Sequence, residues 1–370
     1  MRRSPRCIPD RHENEGNCYR NFYISLVMYR SFLTKNSTLL RQKGSLWKYV
    51  ELAHIRYFIN GEVIVLKHLT KSKNSSTGLR GYLESYQLAS FFVMAYSFSW
   101  VVLIPFILSQ WGIFPKTKAF DIFFFANAFV GPILAAYIMF RILEGKESWK
   151  KVRKSILSTK VGLKWLLFTL IVIPAAMFLG MVILNGEIPT FRNLNFEFFI
   201  TYLISFVAIF FLGGPLPEEI GWRGFALPRL QSKFGPLKAT LLLSVLWTLW
   251  HLPHFLTAAQ RGGPGSDLSL LYIHLPIFIL LCLPISIILT WIYNCNHGNL
   301  FIVMLVHASV NTFSLVQTHS TNAVLKNTDT FVVIGLGFIA LLILIFTRGN
   351  LGYKQTSNGV KFSNNENISK

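Results

Sequence analysis

Eight apolar runs, at about 86–111, 120–143, 162–184, 196–212, 236–256, 270–293, 300–316 and 331–346, constrain this chain more than any other feature. A helix needs about 17 to 25 residues to cross the hydrocarbon of a bilayer, and each run approaches or meets that length. Lipid offers the backbone no hydrogen-bond partners, so a spanning run must satisfy its N–H and C=O groups internally, as a helix does. The chain is therefore expected to be all-α, a polytopic transmembrane helical bundle of about eight spans. The seventh and eighth runs are short, and either is tilted, broken or extended by a turn.

Composition supports this reading, because 52% hydrophobic and only 14% charged residues are too apolar a balance for a soluble chain of 370 residues. The formal charge of +20 comes with no nucleic-acid recognition motif, so nucleic acid is not an expected partner. Lys and Arg gather in cytoplasmic loops, and here they report topology and contact with anionic lipid. Lys146, Lys150, Lys151, Arg153 and Lys154 mark the loop between the second and third runs as cytoplasmic. Arg223, Arg229, Lys233, Lys238, Arg348 and Lys354 fall on the same side, which puts both termini of this multi-pass cell-membrane protein inside.

Three regions follow: a basic extension over 1–85, cytoplasmic or lying on the membrane surface; a transmembrane domain over 86–347, with its polar core at about 196–316; and a polar cytoplasmic tail over 348–370. Within the extension, 47–69 mixes aromatic and aliphatic residues with Lys, His and Arg, as either an interfacial amphipathic helix or a loosely ordered tail does. Cys7, Cys18, Cys282 and Cys295 are too scattered for a CxxC pair or a disulfide framework and are expected to be free thiols. No cleavable signal peptide is expected, since the basic start runs into Pro, Asp, Glu and Asn. No internal repeat of the kind that builds symmetric transporters is evident.

Against this background the stretch Gly213-Gly214-Pro215-Leu216-Pro217-Glu218-Glu219-Ile220-Gly221-Trp222-Arg223-Gly224 stands out. Ionisable groups near bilayer depth carry a penalty of a few kcal/mol and are functional candidates by default. Residues four apart share a helix face, so Glu219 can pair with Arg223. Glu218, about 100° around the wheel, faces elsewhere. A paired acid beside an unpaired one reads as a structural carboxylate beside a working base. The plain alternative is a helix start at a membrane border, with Pro217 in the first turn and acids facing the positive end of the dipole.

Two further runs carry polar residues. The fifth reads Trp247-Thr248-Leu249-Trp250-His251-Leu252-Pro253-His254, placing His251 deep within a helix; His254 is either a second site residue or an interface group. The seventh carries His307 and Asn311 on one face with small residues between them, which on its own is also the pattern of an interhelical polar seam. His297 and Asn299 belong to a loop, and His274 and His319 to span ends. Because each isolated group would be unsatisfied in hydrocarbon, Glu218, His251, His307 and Asn311 are expected to converge, with Glu218 reaching both imidazoles directly or through one water. Such a set holds a water, or a divalent ion with its water, and the carboxylate takes the proton as that water attacks a carbonyl. Glu218, His251 and His307 are also competent ligands for a metal such as zinc, whereas Asn311 is a poor one, and at this point the choice is open. No nucleophile elbow and no HExxH signature is present. One difficulty is depth: Glu218 follows the fourth run directly, while His251 lies ~20 Å along its helix from Lys238 at 1.5 Å per residue. Either the helix after Pro217 stays within the protein and lines a water-filled cavity, which is preferred, or the fifth helix is tilted or starts later.

At these residues the chain resembles the CAAX protease and bacteriocin-processing (Abi) family of intramembrane proteases, which includes the type II prenyl-protein endopeptidases. Glu218 to Arg223 fits that family's EExxxR, Trp247 to His251 fits FxxxH with Trp in place of Phe, and His307 to Asn311 fits HxxxN. The resemblance covers roughly 196–313 and not the N-terminal extension. It implies a hydrolase that cuts a peptide bond in a membrane-associated protein or peptide, CAAX-type prenylated or leader-bearing. It further implies Glu218 as the acid that activates water and His251 as the group that positions it or a metal. His307 and Asn311 would stabilise the oxyanion, and Glu219, Arg223 and Trp247 would support them. Two other readings of the same polar set are a non-catalytic membrane immunity protein of this fold and a transporter with a proton-coupled Glu/His relay.

Overall fold

The computed structural model describes residues 56–59, 62–65, 78–260, 263, 269–326 and 329–354. Eight described helices are long and apolar enough to cross a membrane, and we number them α1 Gln87–Gln110, α2 Lys118–Leu143, α3 Leu163–Asn185, α4 Phe196–Phe234, α5 Pro236–Leu256, α6 His274–Cys295, α7 Leu300–Thr318 and α8 Thr330–Thr347. Over the described residues from 78 to 354 the fold is helical, that of a multi-pass membrane protein.

Each expected run finds its helix with ends moved by a few residues, α4 excepted. That helix ends its first segment at Leu212, as expected, then turns at Gly213 and Gly214 and resumes to Phe234. Asn195 starts the first segment by accepting the Phe198 backbone N–H at 2.9 Å, an N-cap that satisfies one of the free amides of the first turn. Phe196, Phe199, Leu203, Ile204, Val207 and Phe211 are exposed on this segment, as lipid-facing residues should be. After the turn the environment inverts, and every residue over 217–228 is buried. The continuation of α4 is thus kept inside the protein, the first of the two solutions to the depth problem.

Close backbone contacts hold it there. A Cβ on Gly221 would lie 2.7 Å from Pro132 Cβ, so only glycine lets α4 approach the π-turn Phe129–Ile133 of α2. Trp222 is fully buried between Phe91 and Phe92 of α1 and Trp250 of α5, at ring separations of 5.7, 5.9 and 5.9 Å. The outer pair α3 and α8 crosses as tightly: a Cβ on Gly180 would sit 2.0 Å from Phe331 O, and one on Gly335 2.0 Å from Ala176 O. Small residues at a crossing are the usual route to close packing in lipid, where burial of apolar surface gives helices little reason to associate.

Side chains of α1 stitch it to the end of α5. Trp100 Nε1 donates to Trp250 O at 3.0 Å, Trp111 Nε1 to Leu256 O at 2.8 Å, and the Tyr96 hydroxyl to Leu246 O. Between α2 and α3 a short helix, Lys146–Ile156, exposes Lys146, Lys150, Lys151, Arg153 and Lys154 and buries Ser148 and Val152. Its Ser155 Oγ donates to Gly298 O at 2.6 Å and accepts the Leu300 N–H at 2.9 Å, fastening it to the start of α7.

Within 47–69, the described residues form an antiparallel hairpin and not the amphipathic helix considered above. β1 Arg56–Ile59 pairs with β2 Glu62–Val65, with Arg56 opposite Val65 and Ile59 opposite Glu62. The β-branched and aromatic residues Tyr57, Phe58, Ile59, Val63, Ile64 and Val65 favour strands, which accounts for the difference. The rest of the extension, Cys7 and Cys18 among it, and the tail beyond 354 lie outside the described residues. Cys282 and Cys295 are free.

Candidate functional site

The turn before Glu218 is set by Gly214, whose φ of 107° belongs to the region that favours glycine. Pro215 then opens a helical turn that ends at Glu219 and passes into a π-helical stretch, Ile220–Ala226. Single π-turns inside helices often mark functional sites, because the wider register re-aims the side chains.

Glu218 and Glu219 face different partners, as the 100° step between neighbours requires. Glu219 is fully buried, and its Oε1 accepts Arg223 Nη1 at 2.9 Å; the expected four-residue pair is present. The same oxygen meets His307 Nδ1 at 2.8 Å. Arg223, also fully buried, reaches Ser286 Oγ on α6 through Nη2 at 3.3 Å. A charge pair in this setting costs desolvation energy that only good geometry and further hydrogen bonds offset, and His307 and Ser286 supply them. Glu218 Oε2 instead accepts the indole N–H of Trp247 at 2.7 Å.

His251 lies within α5 but at a break in it, not in the regular helix that was expected. The regular helix ends at Trp250, His251 caps it, and Leu252–Leu256 continues as a 3-10 turn. Pro253 explains this, since a proline has no N–H for the i→i−4 bond and its ring crowds the preceding turn. His251 Nδ1 lies 2.8 Å from Trp247 O. A carbonyl only accepts, so Nδ1 carries the proton and, in the neutral ring, Nε2 is left with its lone pair. In the same way the Glu219 carboxylate accepts a hydrogen bond from His307 Nδ1–H, and that ring's Nε2 is left to face the cavity. Asn311 Nδ2 donates to Gly213 O at 3.3 Å, tying α7 to the turn before Glu218.

Glu218, His251, His307 and Asn311 all line one cavity of about 460 Å³. The walls are otherwise largely apolar, with Phe124 and Phe125 of α2, Leu212 of α4, and Phe278, Leu281 and Ile285 of α6. The four residues are thus brought together, although no direct hydrogen bond joins Glu218 to either imidazole. The carboxylate that His307 touches is Glu219, and Trp247 sits between, its ring 5.3 Å from His307 and 5.8 Å from His251. His254 lines the cavity too, its ring 5.4 Å from that of His251 and edge-on to Phe124 at 5.5 Å. His297, His274 and His319 are not among the lining residues.

Two groups at the site carried no separate signal in the sequence, and a third, Trp247, was expected only as an aromatic support. Ser286 is a small polar residue in an apolar run, Gly214 matters through its backbone, and Trp247 reads as an aromatic wall until its N–H is seen to face a carboxylate. As for a metal, a zinc site takes at least three converging protein donors. Among the described residues no three His, Cys, Asp or Glu side chains are so placed. Glu218 Oε2 and the Nδ1 atoms of both histidines are engaged, which leaves Glu218 Oε1 and the two Nε2 atoms as the donors that would hold a divalent ion.

Residues 199–313 match the family model described as type II CAAX prenyl endopeptidase Rce1-like. That segment contains all three motifs and most of the cavity wall. The chain is also similar to CAAX prenyl protease 2 of Methanococcus maripaludis, 26% identical over 188 residues, which is 48% of this chain and 68% of that protein. Over residues 199–313 the chain is thus similar to the type II CAAX prenyl endopeptidases. Helices α1 and α8 lie outside the segment that matches the family model; within this chain α1 supports the His251 end of α5, and α8 packs on α3.

Proposed function

We propose that the chain is an intramembrane endopeptidase in which Glu218 activates water for direct attack on a peptide bond. The observation that carries this reading is the shared cavity: a buried carboxylate, two imidazoles and an amide from α4, α5 and α7 line one pocket with apolar walls. Water held between Glu218 and the Nε2 lone pair of His251 gives a proton to the carboxylate as its oxygen bonds the scissile carbonyl carbon. The tetrahedral oxyanion is stabilised by Asn311 Nδ2, which donates a hydrogen bond to it, and by the His307 ring that Glu219 holds beside it. Collapse breaks the C–N bond, and Glu218 returns its proton to the leaving nitrogen, giving a carboxylic acid, which then loses its proton to water, and an amine. Glu219 and Arg223 hold His307 and the α4 turn.

The apolar walls suit a substrate that presents a lipid-like group beside its scissile bond, and the curated relative is named for CAAX prenyl processing. We take the substrate as a membrane-associated protein or peptide of CAAX type. The protein sits in the cell membrane with both termini cytoplasmic, the side on which the exposed cations of Lys146–Ile156 meet anionic lipid. The basic extension over 1–85 precedes the transmembrane domain, and the polar tail over 348–370 follows it.

Reconstituted protein should cleave a farnesylated CAAX-type reporter peptide at a single bond, read by mass spectrometry, and cleave the unprenylated peptide far more slowly. Equal rates on both peptides would overturn the substrate assignment, and no cleavage of either would overturn the enzyme assignment.

A further inference from the structure

The proposal above gives Trp247 no chemical task, yet it contacts more of the site than any catalytic candidate does. Its Nε1 donates to Glu218 Oε2 at 2.7 Å, with both side chains buried. The Arg223 guanidinium lies over its ring at 5.0 Å. The His307 ring meets it at 5.3 Å and 84°, edge against face. Its own carbonyl accepts a hydrogen bond from His251 Nδ1–H at 2.8 Å. One residue therefore touches a member of each of the three polar motifs.

We propose that Trp247 is the positioning residue for Glu218, and that its indole N–H, not merely its aromatic bulk, selects which carboxylate oxygen works as the base. A glutamate side chain has free torsions, and an apolar cavity offers few groups to hold it. Trp247 occupies Oε2. The other oxygen, Oε1, lies over the Cα of Gly214, where a Cβ would come within 2.4 Å. Donor on one side and bare glycine on the other, with the Trp222 indole also beside Glu218, set the plane of the carboxylate and leave Oε1 over Gly214 as the proton acceptor. A phenylalanine, which the family pattern carries here, would keep the wall beside Arg223 and His307 but has no donor, so in this chain the indole adds a constraint that the pattern alone does not include. The inference rests on Glu218 being the base.

The test uses the farnesylated reporter peptide and the full chain in proteoliposomes, with three variants: Trp247→Phe, Trp247 replaced by the isosteric 3-benzothienylalanine, and Glu218→Gln. Losing a hydrogen bond to a charged group should lower kcat by roughly 10- to 100-fold. KM should stay within about twofold, because substrate binding alone does not use the N–H. Both Trp247 variants should show this split, and Glu218→Gln should be inactive. If the benzothienylalanine protein, which keeps the ring and lacks the N–H, has wild-type kcat while Glu218→Gln is inactive, the positioning role is wrong and the base assignment stands. If Glu218→Gln retains activity, the base assignment itself fails. Should Trp247→Phe not fold, the isosteric variant still decides the matter.

Discussion

Replacing Gly214 by Ala separates the catalytic geometry from the stability of the fold. The new Cβ would sit 2.4 Å from Glu218 Oε1, and ordinary contact begins at 3.4 Å, so the carboxylate must retreat by about 1 Å. The clash falls on the far end of a side chain, not on backbone, so the helices have no need to move. A misplacement of ~1 Å at a reacting group costs on the order of 100-fold in rate. Separately, φ of 107° in a non-glycine residue costs roughly 1–3 kcal/mol of stability. Gly235→Ala isolates that second cost: its φ is 76°, and nothing lies within 4 Å of its Cβ position. We expect both variants to lose similar thermal stability in detergent, followed by fluorescence-detected size exclusion. Only Gly214→Ala should lose about 100-fold in initial rate on a quenched, prenylated reporter in proteoliposomes. A folded Gly214→Ala protein with the rate of Gly235→Ala would refute the claim that Glu218 Oε1 works at the position seen here.

Arg223→Ala should leave Glu219 buried without its cation and cost about 3–5 kcal/mol, seen as a collapse of the monodisperse peak on size exclusion; unchanged thermal stability would show that the pair does not hold α4. His307→Ala should lose nearly all cleavage, while His297→Ala, in an exposed loop, should stay near wild type in the same assay. With Glu218 as a base acting on water directly, EDTA or 1,10-phenanthroline should leave the cleavage rate unchanged; loss of activity restored by added zinc would show that a divalent ion works with Glu218, His251 and His307.

The bundle was legible because bilayer thickness imposes a length that apolar runs cannot hide, and seven of the eight runs end within a few residues of their helices. The eighth case, α4, shows the limit. Two glycines, two prolines and three charges after Leu212 read as the end of a span, yet the helix resumes because those charges are buried in protein, where pairing replaces solvation. The pair of Glu219 with Arg223 followed from helix periodicity alone. What periodicity could not supply was the rotation of one helix against another, which decides that His307 meets Glu219 and that Trp247 meets Glu218. The π-helical register over Ile220–Ala226 likewise has no residue signature. The position of His251 was within reach: Pro253 was the cue that the helix ends before it.

The central claim is that Glu218 is the base of a peptide-bond hydrolysis inside the membrane. Glu218→Gln keeps the shape of the side chain and its contact with Trp247 but cannot take a proton from water. Reconstituted at equal amount and with equal thermal stability, it should cleave the farnesylated reporter at no more than the background rate of empty vesicles. Cleavage by that variant at the wild-type rate, at the same bond, would contradict the account.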